Sequence, residues 1–189
     1  MGLDMYLYAS KYESKSQWRL KEGEDIEKVA KEFYPEGLHK RACQHIKDNF
    51  LSKQTRYQIG YWRKFNALHC YFEKQYEDKD LIHGIDISKE EIEELINKFE
   101  TILEDLKTCP KLDKEIVVGW NKDGDIKETI QVYDSKVALE LLPPGDGFFY
   151  GSQNIGEYYK EDIEYSIGLF KECLELIEKG YDIIYDASW

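Results

Sequence analysis

A chain of 189 residues has the length of one domain and buries roughly 70% of its unfolded surface. Hydrophobic residues make up 42% and charged residues 34%, which excludes a disordered chain. The net charge of −12 repels phosphate backbones and argues against nucleic-acid duplexes as partners. No apolar run approaches the roughly 20 residues of a membrane span, so a cytoplasmic protein with no membrane role is expected. Residues 1–10 lack the charged start and apolar run of a signal peptide.

The cysteines, Cys43, Cys70, Cys109 and Cys173, are scattered, and no CxxC occurs. Neither a zinc ribbon nor a thioredoxin-type motif is therefore present. Reduced thiols are expected, with no metal and no cofactor. Fifteen Tyr, eight Phe and four Trp supply many groups with an apolar body and a polar tip, suited to core rims and interfaces.

In chain order, Leu3, Met5 and Leu7 alternate with Asp4, Tyr6 and Tyr8, the period of a strand. Asp is depleted in strands, so Asp4 reads either as an edge position facing water or as a functional carboxylate. Residues 10–23 read as a polar loop. Ile26, Val29, Ala30 and Phe33 form one face of a short helix over 24–33, stopped by Pro35 and Gly37. A second helix is read over 38–50, carrying His39 and His45 as surface groups. Together the pair forms a helical insertion at about 24–50.

The next segment, Tyr61 to Phe72, gathers an arginine, a lysine, an asparagine, a histidine and a tryptophan. Arg63, Lys64, Ala67 and Leu68 are good helix formers, and a helix is predicted from about 57 or 60 to about 77. At about 100° per residue, Tyr61, Phe65, Leu68 and Phe72 share a core face, and Trp62, Asn66, His69 and Glu73 form a second stripe beside it.

Ser88 with Glu91 is a capping box, opening a helix whose Ile92, Leu95, Ile96, Phe99, Ile102, Leu103 and Leu106 fall at helical spacing. Segments 115–120 and 126–133 flank Asp123-Gly124, a hairpin signal. An EF-hand starting at Asn121 would need Gly and Glu where Ile126 and Val132 stand, which excludes it. Asp134 or Ser135 caps a short helix ending before Pro143. Phe148 to Tyr150 reads as a buried strand. A last helix spans 158–179 with Gly180 as its stop, and 181–185 is a closing strand adjacent to the first. The pattern predicts a single α+β domain, with a mainly antiparallel sheet and helices on one face.

Two segments carry chemistry. Arg63 and Lys64 would clamp an anion, or would pair with this chain's many acids. Asn66 offers a donor and an acceptor. Trp62 would stack on a ring, or sit in the core. Glu73 lies one helical turn after His69, an arrangement suited either to acid–base work or to a structural hydrogen bond. No nucleophile is assigned to His69, and no catalytic residue is assigned. The second segment is Gly147 to Tyr159, where Tyr150, Ser152, Tyr158 and Tyr159 add hydroxyls and aromatic faces around a glycine turn before a helix. The expectation is that His69 or Asn66 reaches these residues, and that the cavity between the two segments is electropositive.

The start MGLDMYL, the run YWRK-x-N-x-x-H, the GFFYGS turn with its Tyr-Tyr pair, and the terminal Tyr185-x-x-Ser188-Trp189 together resemble a group of small uncharacterised proteins of bacteriophages and prophages. The resemblance implies a bacterial host setting. It marks Trp62, Arg63, Lys64, Asn66 and His69 as signature positions; Gly156 and Ala187 depart from the group's pattern.

Three functions compete. The first is a binder of a small anionic, nucleotide-like ligand such as a signal of host defence. The second is a protein that occupies a host protein through the acidic stretch Glu77–Asp105, which holds eleven acids against three lysines, a local charge of −8. The third is a hydrolase-type enzyme using His69. A homo-oligomer is left open.

Overall fold

A computed structural model describes residues 2–16, 20–35, 50–122, 124–147 and 150–188. The chain is α+β. Strand β1 (Asp4–Ser16) is followed by helix α1 (Ile26–Phe33), strand β2 (Phe50–Arg63) and helix α2 (Asn66–Gln75). A 3-10 turn at Leu81–His83 leads to the short strand β3 (Ile85–Ile87) and helix α3 (Lys89–Leu106). Strands β4 (Lys111–Asn121) and β5 (Gly124–Tyr133) precede helices α4 (Lys136–Leu141) and α5 (Glu157–Glu178) and strand β6 (Asp182–Ser188). One sheet has the order β2-β1-β6-β3, and β4-β5 forms a separate ribbon. The first and last strands are neighbours, as expected.

Contacts divide the chain into two compact units, residues 1–9 with 58–189, and residues 10–57. In the second unit, Val29, Ala30, Phe33 and Leu51 form a small core. Asp25 caps α1 by accepting from Glu27 N, and the Tyr34 hydroxyl donates to Ser52 O while accepting from Ser52 N. Residues 10–16, read from their polarity as loop, continue β1. Strand polarity on both faces hid them, and Lys53 pairs across with Glu13 at 3.1 Å. The helix expected over 38–50 lies outside the described residues apart from its last position, Phe50, which opens β2.

In the larger unit the core runs from Leu3, Met5 and Leu7 through α2, α3 and α5 to Ile183, Tyr185 and Ala187 of β6. β6 pairs antiparallel with β3, Tyr185 opposite Ile85. The α5 helix passes so close to the sheet at Gly60 that a Cβ there would stand 2.3 Å from Leu169 Cδ2, so any larger residue would have to displace the Leu169 side chain. Phe99 of α3 and Phe170 of α5 stack with centroids 5.9 Å apart. The Ser88 cap forms as expected, its hydroxyl accepting from Glu91 N. The Glu91 carboxylate accepts instead from the Tyr76 hydroxyl at 2.6 Å. Hairpin β4–β5, the Ser135-capped helix and the final helix all appear close to their predicted places. Phe148 and Phe149, read as a strand with Tyr150, lie outside the described residues.

The largest correction falls at 57–65. The predicted helix there is strand: β2 runs to Arg63, and helix begins only at Asn66. Gly60 and Trp62 are buried while Tyr61 and Arg63 are exposed, the period of a strand. Tyr61 is therefore not a core residue, being 41% exposed. Phe65, Leu68 and Phe72 are buried as expected. The preference of Tyr, Ile and Trp for strands, and the cost of Gly60 inside a helix, outweigh the helix-forming Arg and Lys. Asp4 is also not at an edge, because β1 lies between β2 and β6. It accepts from Arg63 Nη1 at 3.0 Å and from the Tyr61 hydroxyl.

Candidate functional site

The turn between β2 and α2 organises the site. Lys64 N donates to Leu3 O at 2.9 Å, and Asn66 N donates back to Lys64 O at 2.8 Å. This tight reversal puts Lys64 at φ 63°, the one left-handed non-glycine among the described residues. Such a backbone costs an L-residue about 1–2 kcal/mol. The lysine stem runs beside two glycines: a Cβ at Gly2 would lie 3.0 Å from Lys64 Cε, and one at Gly151 would lie 3.0 Å from its Cβ and Cδ. Gly151 itself has φ 88°. The ammonium has no ion-pair or hydrogen-bond partner among the described residues.

A cavity of about 650 Å³ opens at this turn. Arg63, Lys64, Phe65 and Asn66 line it from the turn, and Lys111, Ile116, Ile130, Gln131 and Tyr133 from the hairpin. Ser152, Asn154, Gly156, Glu157, Tyr158, Tyr159 and Asp162 complete the wall from the loop and the first turns of α5. Its size is that of small-molecule sites. Gly156 caps α5 without a side-chain acceptor, which leaves first-turn amides of a long helix at the cavity.

Glu157 is already engaged, accepting from the Tyr133 hydroxyl at 2.9 Å and from Lys160 at 3.0 Å. The Lys160 and Tyr133 hydrogen bonds hold its carboxyl below the usual range. Asp162 differs. Its carboxylate has no hydrogen-bond or ion-pair partner among the described residues, although its backbone oxygen accepts from the Ser166 hydroxyl. Burial, with Glu161 beside it, pushes its pKa up to about 6.

A carboxyl raised from 3.8 to about 6 adds stability that is full below about 3.8 and is lost as pH rises through about 6. At pH 7 its ionised form is a cost, so Asp162→Asn is expected to raise the melting temperature at pH 7 and leave it unchanged at pH 3. Equal melting of the two proteins at pH 7 would show a well-hydrated carboxylate instead.

Of the ten residues singled out in the sequence, Arg63, Lys64, Asn66, Ser152, Tyr158 and Tyr159 line this cavity. The other four do not. Trp62 is 2% exposed and donates through Nε1 to the Ser166 hydroxyl at 2.9 Å, a core role. His69 has no exposed surface. Its Nδ1 meets the Tyr185 hydroxyl at 2.8 Å, and its Nε2 faces Glu73 Oε1 at 3.4 Å. Tyr150 donates its hydroxyl to the same Glu73 oxygen at 2.8 Å and sets its ring edge-on to His69. Burial lowers the His69 pKa, opposed in part by Glu73, and burial with the Glu73 hydrogen bond raises that of Tyr150. Burial, then Glu73, also pushes the Cys70 thiol up to about 11, which leaves it without thiolate character at neutral pH.

The two sequence segments do meet. Asn66 Nδ2 donates to Tyr150 O at 3.1 Å and to Ser152 O at 2.8 Å, while its Oδ1 accepts from Gly145 N at 3.2 Å. The stripe Asn66–His69–Glu73 is thus a bracket that holds the 145–152 loop against α2. The cavity lies beside that bracket, not inside it. The hairpin residues and Asp162 were missed by the sequence reading. Lys111 arches over the Tyr133 ring at 4.5 Å, and no local pattern signals that a ribbon residue faces a turn some fifty positions earlier. No three His, Cys, Asp or Glu side chains gather as a metal site among the described residues, and no described helix is long and apolar enough to cross a membrane.

No family model, no curated protein and no solved structure matches this chain.

Proposed function

We propose that this protein binds a small anionic, ring-bearing ligand in the cavity beside Lys64. The supporting observation is the Lys64 backbone. A left-handed turn position suits glycine, yet it holds a lysine whose ammonium has no partner among the described residues, at the rim of a cavity. Retained strain of this kind points to use of the side chain. Arg63 stands beside it, 56% exposed in its side chain while held by Asp4. Arg63 is offset by Asp4 and Glu157 by Lys160, which leaves Lys64 and Lys111 against Asp162 alone. The local balance therefore favours an anion despite the net charge of −12.

In the phage setting implied by the sequence resemblance, such binding would withdraw a nucleotide-like signal from a host defence component. The acidic-surface alternative has less support, since Glu94, Glu100 and Glu104 of α3 already pair with Lys98, Lys171 and Lys107. A hydrolase using His69 has none from the geometry, because that ring is wholly enclosed.

Native mass spectrometry of the protein purified from bacterial cells tests the reading. The expected spectrum shows a small anionic adduct that is retained at low activation energy and displaced at high salt. A bare protein, with no nucleotide or other organic anion restoring an adduct when added, would overturn it.

A further inference from the structure

The cavity wall carries both signs of charge, and its carboxylate says what else the ligand carries. Asp162 is a half-buried carboxylate with no hydrogen-bond or ion-pair partner among the described residues. A carboxylate taken partly out of water without donors is costly, so the site is completed by a ligand that brings them. A ligand ammonium would set a further cation among Arg63, Lys64 and Lys111. A pair of neutral hydroxyls satisfies the carboxylate without that repulsion. The same lining holds the apolar Phe65, Ile116 and Ile130 and the ring of Tyr158, which is 83% exposed and available to take a flat heterocycle on its face.

Resting on the anion-binding reading, we infer that the ligand is a ribonucleoside phosphate: its phosphate meets Lys64 and Arg63, its base stacks on Tyr158, and its ribose diol donates to the Asp162 carboxylate. The carboxylate–diol pairing is the one by which acidic residues select ribose in dinucleotide sites.

Calorimetric titration of the full chain at pH 7 separates the parts. The probes are adenosine 5′-monophosphate, its 2′,3′-dideoxy analogue and inorganic pyrophosphate. The expected result is binding of the ribonucleotide at least about tenfold tighter than the dideoxy analogue. Asp162→Asn should erase that difference without weakening the dideoxy analogue, whereas Lys64→Ala should weaken all three probes. The ribo-versus-dideoxy comparison uses the unaltered protein, so it stands even if Asp162→Asn fails to fold. Equal affinities for the two nucleotides, both lost in Lys64→Ala, would overturn the diol assignment and leave the anion site standing. Pyrophosphate binding alone, lost in Lys64→Ala, would overturn the nucleotide and keep the anion. No binding of any probe would remove the support for both.

Discussion

Replacing Phe72 with Ala is expected to lower the unfolding free energy by about 3–5 kcal/mol, the range of buried aromatic truncations. Phe72 has no exposed surface. Its ring lies 4.4 Å from that of Tyr185 and also meets Tyr71 and Tyr76, at 5.5 and 6.5 Å. With His69, it is a contact through which α2 sits on Tyr185 of β6. The void left by truncation would be lined by Tyr185, whose hydroxyl is fixed by His69, so that ring is poorly placed to collapse into it. Urea unfolding with an unchanged m-value measures the loss. A cost below about 1 kcal/mol would mean that α2 packs on the sheet through a different face.

The second large effect is at Asn66. Its amide makes three bonds to the loop 145–152, two as donor and one as acceptor, and it is 3% exposed. Removing them leaves two carbonyls and one N–H without partners. At about 1–3 kcal/mol for each buried orphan, and near the lower end because the loop is partly exposed, Asn66→Ala should cost about 2–4 kcal/mol. Asn66→Asp is the sharper variant. It keeps the shape and the acceptor for Gly145 N but turns a carboxylate oxygen toward the Tyr150 and Ser152 carbonyls, so it should destabilise at least as much. Amide exchange at Gly145 should quicken in the Ala variant and less so in the Asp variant. A neutral Asn66→Asp would contradict the bracket.

These two residues also show what the sequence made legible. The helical spacing of Leu68, Asn66, His69, Glu73 and Phe72 was readable, and so was the encounter with Tyr150 and Ser152, because few other segments offered complementary groups. The α+β class followed from alternating short strands and capped helices. The failure was local and had a cause: Arg63 and Lys64 were weighed by helix propensity, when Gly60 and the alternating Tyr61, Trp62 and Arg63 already described a strand. That error also misassigned roles. On one continuous helix, Trp62 and His69 would share a wall with Asn66. With β2 ending at Arg63, Trp62 turns into the core beneath α5, and His69 is enclosed by Tyr185 and Tyr150. Nothing local could have announced the hairpin wall or Asp162, which reach the cavity only through the path of the chain. The left-handed Lys64 was equally hidden, since no residue pattern there asks for a positive φ.

Lys64→Gly separates a ligand-binding lysine from a structural one. Glycine occupies a left-handed turn without strain, so loss of a structural Lys64 would show in the melting temperature, while loss of a ligand-binding Lys64 would show in the affinity. Melting temperature and affinity for the ligand identified by native mass spectrometry are measured on the same sample. The expected melting temperature is no lower than that of the unaltered protein, with an affinity reduced about tenfold or more by loss of a charge-assisted contact. Unchanged affinity, or a lower melting temperature with affinity intact, would contradict it.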